Sequence, residues 1–392
     1  MMGKASIEVE LNPELLAWGR RSVGLSIADV ARKLKQQEQT IKEWEGGSRK
    51  IRYAQLEKLA DIYARPVAVF FLENPPESTA LPRDFRLLPE KDRQQFSRQT
   101  LLAFRRAKRF QKHAAQLLDE LAAPSEQLDL HAVLKDDPIA VATSTRELLR
   151  VTLQAQFSWK SYYHAFRELR NIIEEQGLFV FQFPMPIEEI RGYFLSHKLA
   201  PVIVVNRSDW IQARIFTLLH EFGHYILDEE GISGATDITD YDGWRDTHES
   251  RIERFCNVFA TEFLMPRDVF EAECQNIHGV HSQLGGYSDP AFVGKIAMRF
   301  SVSLQAALLR LYKLSLLDVD EYTSTRALLV PKKKKHNGGS GLTAEEICVQ
   351  ERGHKYVSLM VSASRDGRLS PSEVADLLGV APQVAFEIEG VM

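Results

Sequence analysis

Three features of the chain predict a mainly α protein with a small β-sheet, an α+β arrangement. Apolar residues recur at helical spacing along most of the 392 residues. Short β-branched or aromatic runs occur at 178–181, 192–195 and 201–206. A proline-bearing stretch near residue 75 and a lysine–glycine stretch near residue 335 cut the sequence into domain-sized segments. The boundaries expected are a helical domain at 1–73, a linker with helices at 74–142, and a larger domain at 143–330. A basic, glycine-rich tether at 331–342 and a small helical tail at 343–392 complete the chain.

Composition narrows the class. With 44% apolar and 26% charged residues, the chain is neither disordered nor collagen-like. Three widely spaced cysteines, Cys256, Cys274 and Cys348, do not make a disulfide framework. No apolar run approaches the roughly 18 residues of a membrane span, and the first ten residues have no apolar signal core. The expectation is a cytoplasmic protein with no membrane partner. A net charge of −4 says nothing about nucleic acid. Locally, residues 83–113 carry ten Lys/Arg against three acids, a run that can follow phosphates or simply face solvent.

The N-terminal elements follow from their caps. Asn12 caps a helix that has Pro13 at its first position, and Gly24 ends it. Ser26 caps a second helix, with Ile27, Val30, Ala31 and Leu34 at helical spacing. A third is expected at 38–45, stopped by Gly46 and Gly47, and a fourth at 53–63. Further helices are expected at 93–122, 143–156 and 162–176. The strands at 178–181, 192–195 and 201–206 come next, then a helix at 208–228, a polar loop at 231–247 and a helix at 249–264. The segment 296–311 has a helix-turn-helix flavour but reads as core. In the tail, 369–379 reads as a small docking helix pair.

Chemistry concentrates at His220-Glu221-Phe222-Gly223-His224. Residues four apart on a helix share a face, so both imidazoles can reach one ion, with Glu221 beside them as a base for water. Two imidazoles and a carboxylate suit zinc, leaving a fourth position open. Candidates for the third ligand are Glu249, Glu253, Glu262 and His248. Glu253 is preferred, because Phe255, Val258, Phe259 and Phe263 place its helix against the core.

These residues are similar to the ImmA/IrrE family of zinc peptidases. The resemblance rests on Val202 to Asn206, on Arg214-Ile-Phe-Thr-Leu-Leu-His-Glu-Phe-Gly-His224, on Glu253-Arg-Phe-Cys-Asn257 and on Leu264-Met-Pro266. It spans about 145–315. It implies zinc ligands His220, His224 and Glu253, a catalytic base in Glu221, a zincin-like fold and metal-assisted peptide hydrolysis. The strand ending at Asn206 is expected to bind substrate by edge pairing. His248 and Tyr241 are candidates for stabilising the oxyanion. The segment 228–251 is longer and more acidic than the family leads one to expect.

Residues 26–44 carry helix-turn-helix logic. Small Ala31 lets the third helix approach, and Ile41 and Trp44 face inward. Gln37, Gln39, Thr40, Lys42 and Glu43 are left facing out. Gln can bond adenine, while Lys or Thr can hold phosphates or bases. Arg49, Lys50 and Arg52 would meet the DNA backbone. The segment 15–71 resembles the Xre, lambda-repressor-like helix-turn-helix family, most visibly at Gly24-Leu25-Ser26 and Trp44-Glu45-Gly46. Ile51 stands where that family often has proline. Together the resemblances imply a homodimeric operator-binding regulator whose zinc peptidase cleaves a regulatory partner in a stress, prophage or toxin–antitoxin setting. The alternative is a non-proteolytic repressor or antitoxin whose zincin-like domain binds a cognate toxin or signal.

Overall fold

The computed structural model describes residues 7–76, 96–121, 130–229, 232–233, 247–280, 286–329 and 341–391. The chain forms two compact units, Met1–Lys108 and Arg109–Met392. The architecture is mainly helical with small sheets, as the spacing of apolar residues leads one to expect.

In the first unit, helix α1 (Pro13–Arg21) starts where the Asn12 side chain accepts the Glu14 N–H. Helix α2 (Ile27–Leu34) starts with a Ser26–Asp29 capping box. Lys35, in the left-handed region at φ 53°, turns the chain into α3 (Glu38–Glu45). Helix α4 (Tyr53–Tyr63) and a 3-10 turn (Val67–Phe71) close the unit. Leu15, Leu16, Val30, Ile41, Trp44, Leu56, Tyr63 and Phe70 form its core. Gly19 has a packing reason, since a Cβ there would lie 2.8 Å from the Tyr63 ring. Arg20 grips both oxygens of Glu45 at 2.7 and 2.8 Å, tying α1 to the end of α3. These helices fit a helix-turn-helix domain. A two-residue ribbon, β1 (Glu8–Val9) with β2 (Ile51–Arg52), was not expected; buried Ile51 pairs with Val9 there.

Helix α5 (Arg98–Glu120) carries the described part of the basic run. Within the first unit, Arg98 donates to the Ile62 carbonyl and Arg105 to those of Tyr63 and Ala64. Two of the charges that suggested phosphate contacts therefore cap the negative end of α4. Residues 83–95 of that run lie outside the described residues.

The second unit is built on a sheet of order β3-β5-β4-β6, with β3 (Phe179–Phe183), β4 (Gly192–Leu195), β5 (Val202–Asn206) and β6 (Ile232–Ser233). β3 and β5 run parallel, and β4 is antiparallel to both its neighbours. Side chains alternate across it. Val180, Phe194, Ile203 and Val205 join the main core with α8 (Tyr162–Glu175) and α9 (Ile211–Ile226). On the opposite face, Phe181 and Phe183 pack on Phe110 at ring distances of 5.4 and 6.2 Å. The main core continues through α6 (Pro138–Leu148), α7 (Leu153–Phe157), α10 (His248–Leu264), α11 (Arg267–Val280), α12 (Pro290–Phe300), α13 (Leu304–Lys313) and α14 (Val319–Leu328).

Several expectations change. The helix expected at 143–156 begins earlier, at an Asp137 cap with Pro138 behind it, and it breaks at Arg150, φ 55°. Thr152 then caps α7. The loop at 231–247 contains strand β6. The strand β5, expected to pair with substrate at an edge, has β3 on one side and β4 on the other. Its backbone groups are consumed in the ladders, so β5 offers no edge. The segment at 296–311 is core, as expected, with α12 and α13 bent by 101°. No single described helix is long and apolar enough to cross a membrane.

The last 50 residues form four helices: α15 (Ala344–Arg352), α16 (His354–Arg365), α17 (Pro371–Leu378) and α18 (Pro382–Val391). They are built into the second unit rather than appended to it. Tyr356 stacks on Phe110 at 4.9 Å and meets Phe181 edge-on at 5.4 Å. The Gln350 carbonyl accepts from Arg170 (2.7 Å) and from Gln182 (2.8 Å). The Lys355 N–H donates to Glu174, and Arg207 pairs with Glu351. Gly353 sits at φ 81°, where a side chain would strike Glu174. The basic tether at 331–340 lies outside the described residues.

Candidate metal centre

The sheet, α9 and α10 bring three ligand atoms together. Helix α9 is apolar on nearly every side, with Ile215, Leu218, Leu219, Phe222 and Ile226 buried. That burial carries His220, Glu221 and His224 inside as well, at 3%, 0% and 1% exposure. Helix α10 starts at a Thr247–Ser250 capping box and lies along α9. Its C-terminal carbonyls are held by buried side chains: Arg146 donates to Phe263 O, Gln156 to Leu264 O and Arg310 to Met265 O. These donors satisfy groups that a helix end leaves orphaned, and they fix the axis that carries Glu253.

His220 Nε2 and His224 Nε2 lie 3.2 Å apart. Glu253 places one oxygen 3.2 Å from the first and the other 3.3 Å from the second. Ligands about 2.0–2.1 Å from a tetrahedral ion stand about 3.3 Å from one another. The two imidazole nitrogens therefore stand at the spacing of two corners around one ion, and each has a different Glu253 oxygen at the same spacing. The surrounding hydrogen bonds fit as well. His220 Nδ1 meets Asn257 Oδ1 at 3.1 Å, and Asn257 Nδ2 donates to the Glu253 carbonyl at 2.8 Å. A metal-binding histidine needs its other nitrogen held in this way.

The electrostatics favour positive charge at this point. Burial alone would raise the Glu253 carboxyl, yet the facing imidazoles of His220 and His224 drive it far below the ordinary carboxylate range. Burial opposes charge on His224, but Cys256 and Glu253 outweigh it and hold that imidazole well above its usual range. A cation answers the same field.

Glu221 reaches past the ligands toward β4. Gly192 makes room for it: a Cβ at that position would meet Thr217 Cγ2 at 2.5 Å, the Val204 carbonyl at 2.9 Å and Glu221 Oε1 at 3.0 Å. Tyr193 next to it is fully buried, and burial together with the Glu221 charge pushes its phenol well above the usual range. Asn206 holds the far end of the sheet: its Oδ1 accepts from Met185 N and Ser208 N, and its Nδ2 donates to Met185 O and Ile190 O.

Of the expected third ligands, Glu253 is the one brought beside both histidines. Glu262 is instead paired with Arg310 at 2.7 Å in the core. Glu249 is exposed in the first turn of α10, and His248 is exposed and nearest Glu229 at 3.6 Å. Tyr241 and the acidic residues at 237–246 lie outside the described residues. Gly192 escaped sequence reasoning because a glycine opening a short apolar run carries no signal of what its missing side chain would strike.

The residues expected to read DNA are mostly placed as anticipated. Gln37, Gln39, Lys42, Arg49, Lys50 and Arg52 are exposed. Arg49 lies 3.5 Å from Glu43, and Lys50 lies 2.7 Å from Glu10. Thr40 is a correction. It is 8% exposed, because the α3 face holding Ile41 and Trp44 extends to it, and so it belongs with the inward side.

An HExxH helix packed on a small mixed sheet, with a glutamate supplied by the next helix, is an arrangement that could hold a metal ion. Residues 173–312 match the family model of the IrrE N-terminal-like domain, a peptidase family. No curated protein matches the chain.

Proposed function

We propose that the second unit is a zinc-dependent peptidase and the first a DNA-binding domain, so that the chain is a regulator that cleaves a partner protein. The observation supporting this most directly is the convergence of His220, His224 and Glu253 at tetrahedral spacing, with Glu221 beside them. Zinc held by these three side chains supplies Lewis acidity toward a peptide carbonyl and toward water. Glu221, lodged against the bare backbone of Gly192, takes the proton of the attacking water and delivers it to the leaving amine. Asn257 keeps His220 in the tautomer whose Nε2 faces the site.

For the first unit, Gln37, Gln39 and Lys42 present polar groups at the start and outer side of α3, and Arg49, Lys50 and Arg52 follow in reach of phosphates. Two-fold operators favour a homodimer, and a cytoplasmic regulatory setting such as stress, prophage control or toxin–antitoxin pairing fits the combination.

Two measurements test the proposal. Purified protein should carry about one zinc per chain, lost in His220→Ala. Glu221→Gln should keep the zinc, and new protein termini should appear in cells expressing the wild type but not in cells expressing this variant. Unchanged termini with a functional regulator would favour the non-proteolytic reading, in which the metal domain binds a toxin or signal. Lys42→Ala should weaken duplex DNA binding and lower its salt slope by about one.

A further inference from the structure

We infer that Cys256 is a positioning residue for the metal: its sulfur becomes the hydrogen-bond acceptor for His224 Nδ1 once Nε2 takes the ion, the role that Asn257 Oδ1 has for His220 Nδ1. The inference rests on the zinc reading above. A histidine that gives Nε2 to a metal carries its proton on Nδ1, and that N–H needs an acceptor when buried. His220 has one at 3.1 Å. His224 is 1% exposed, and its Nδ1 makes no hydrogen bond among the described residues. A buried polar nitrogen of this kind is costly unless something answers it.

Cys256 is placed to answer. It is wholly buried on α10, one residue before Asn257. Its Cα, Cβ and Sγ press on the α9 backbone at Gly223, the residue preceding His224. A Cβ at Gly223 would stand 3.2 Å from the sulfur and 3.3 Å from Cys256 Cβ. Gly223 therefore opens the space through which the sulfur approaches the ligand helix. A cysteine sulfur is a weak acceptor, and at this position it is the one side chain of α10 that the missing Gly223 side chain lets approach the ring. One dipeptide, Cys256-Asn257, thus serves both ligand histidines. An alanine at 256 would leave His224 Nδ1 with nothing to bond.

The test compares zinc affinity by chelator competition in wild type, Cys256→Ala and Cys256→Ser, with the melting of the metal-free proteins as a control for packing. Alanine should weaken zinc binding about 10- to 100-fold, and serine, whose hydroxyl restores an acceptor, should recover most of the loss. Long-range proton–nitrogen NMR of the zinc-loaded wild type should show a protected His224 Nδ1–H whose shift moves on Cys256→Ser. Alanine binding zinc as tightly as wild type, or a His224 signal that ignores the serine change, would overturn the inference and leave the zinc reading intact. Wild type that takes up no zinc would overturn both. If the alanine variant does not fold, the serine variant and the NMR signal decide.

Discussion

At the scale of single residues, the centre owes its character to what surrounds three ligands rather than to the ligands alone. His224 is held above its ordinary range by Glu253 and Cys256, against its burial. At neutral pH this favours the protonated ring, and a zinc ion bound as proposed would have to displace that proton. Binding requires the neutral ring, so affinity rises with pH and falls steeply as pH drops, starting above the ordinary histidine pKa of about 6.5. Chelator competition at pH 6, 7 and 8 should show this rise; a flat profile would contradict it. Asn257 gives a second expectation. Asn257→Ala removes both the His220 contact and the bond to the Glu253 carbonyl. Zinc affinity should fall about 10- to 100-fold while the fold persists, judged by circular dichroism. The ligand triad was legible because spacing on a helix dictates which side chains share a face. Glu253 needed only the apolar residues that turn its helix inward. Thr40 was misplaced because a polar residue beside Ile41 looks exposed until the neighbouring helix is in position. Gly192 was invisible for a different reason, since its role lies in contacts with Thr217 and Glu221 from another element.

At the scale of elements, caps and breakers made most helices readable. Asn12, Ser26 and Gly47 mark their helix ends in the sequence as they do in space. Where a capping residue hides inside an apolar pattern, reading failed: Thr152 starts α7 within what looked like one continuous helix. Strand existence was legible, but strand order was not. β5 looks like any apolar strand, and its central position depends on a parallel pairing with β3 that only the tertiary fold reveals. The contact between β4 and α9 carries its own prediction. Gly192→Val drives a branched side chain into Thr217, Val204 and Glu221. The proposed cleavage should be lost, with the proposed zinc still bound because no ligand is touched. Loss of zinc in that variant would show that β4 supports the ligands and not only Glu221.

At the scale of the whole molecule, the division into units was partly legible. Sequence breaks near 75 and 335 suggested separable pieces, yet the tail beyond 342 is part of the second unit. Its attachment runs through backbone carbonyls and buried rings, Gln350 O and Tyr356 above all, which leave no local pattern in the sequence. A chain ending at 342 would expose Phe179 and Phe181 on one sheet face and strand the buried pair of Arg170 and Glu174. Such a protein should bind a hydrophobic dye and lose its cooperative melting transition. A sharp transition equal to that of the full chain would refute this account of the tail.

The packing of Tyr356 on Phe110 also sets an order of events during synthesis. Among the described residues, the core of the first unit is drawn from residues 9–102, which are synthesised before those of the sheet. The sheet behind the metal centre waits for residues near the end of the chain to cover its aromatic face. The half proposed to bind DNA is thus complete while the half proposed to cut protein is still unfinished. A nascent chain that has not yet reached residue 356 would hold the core of its first unit while the aromatic face of the sheet behind the metal centre is still uncovered.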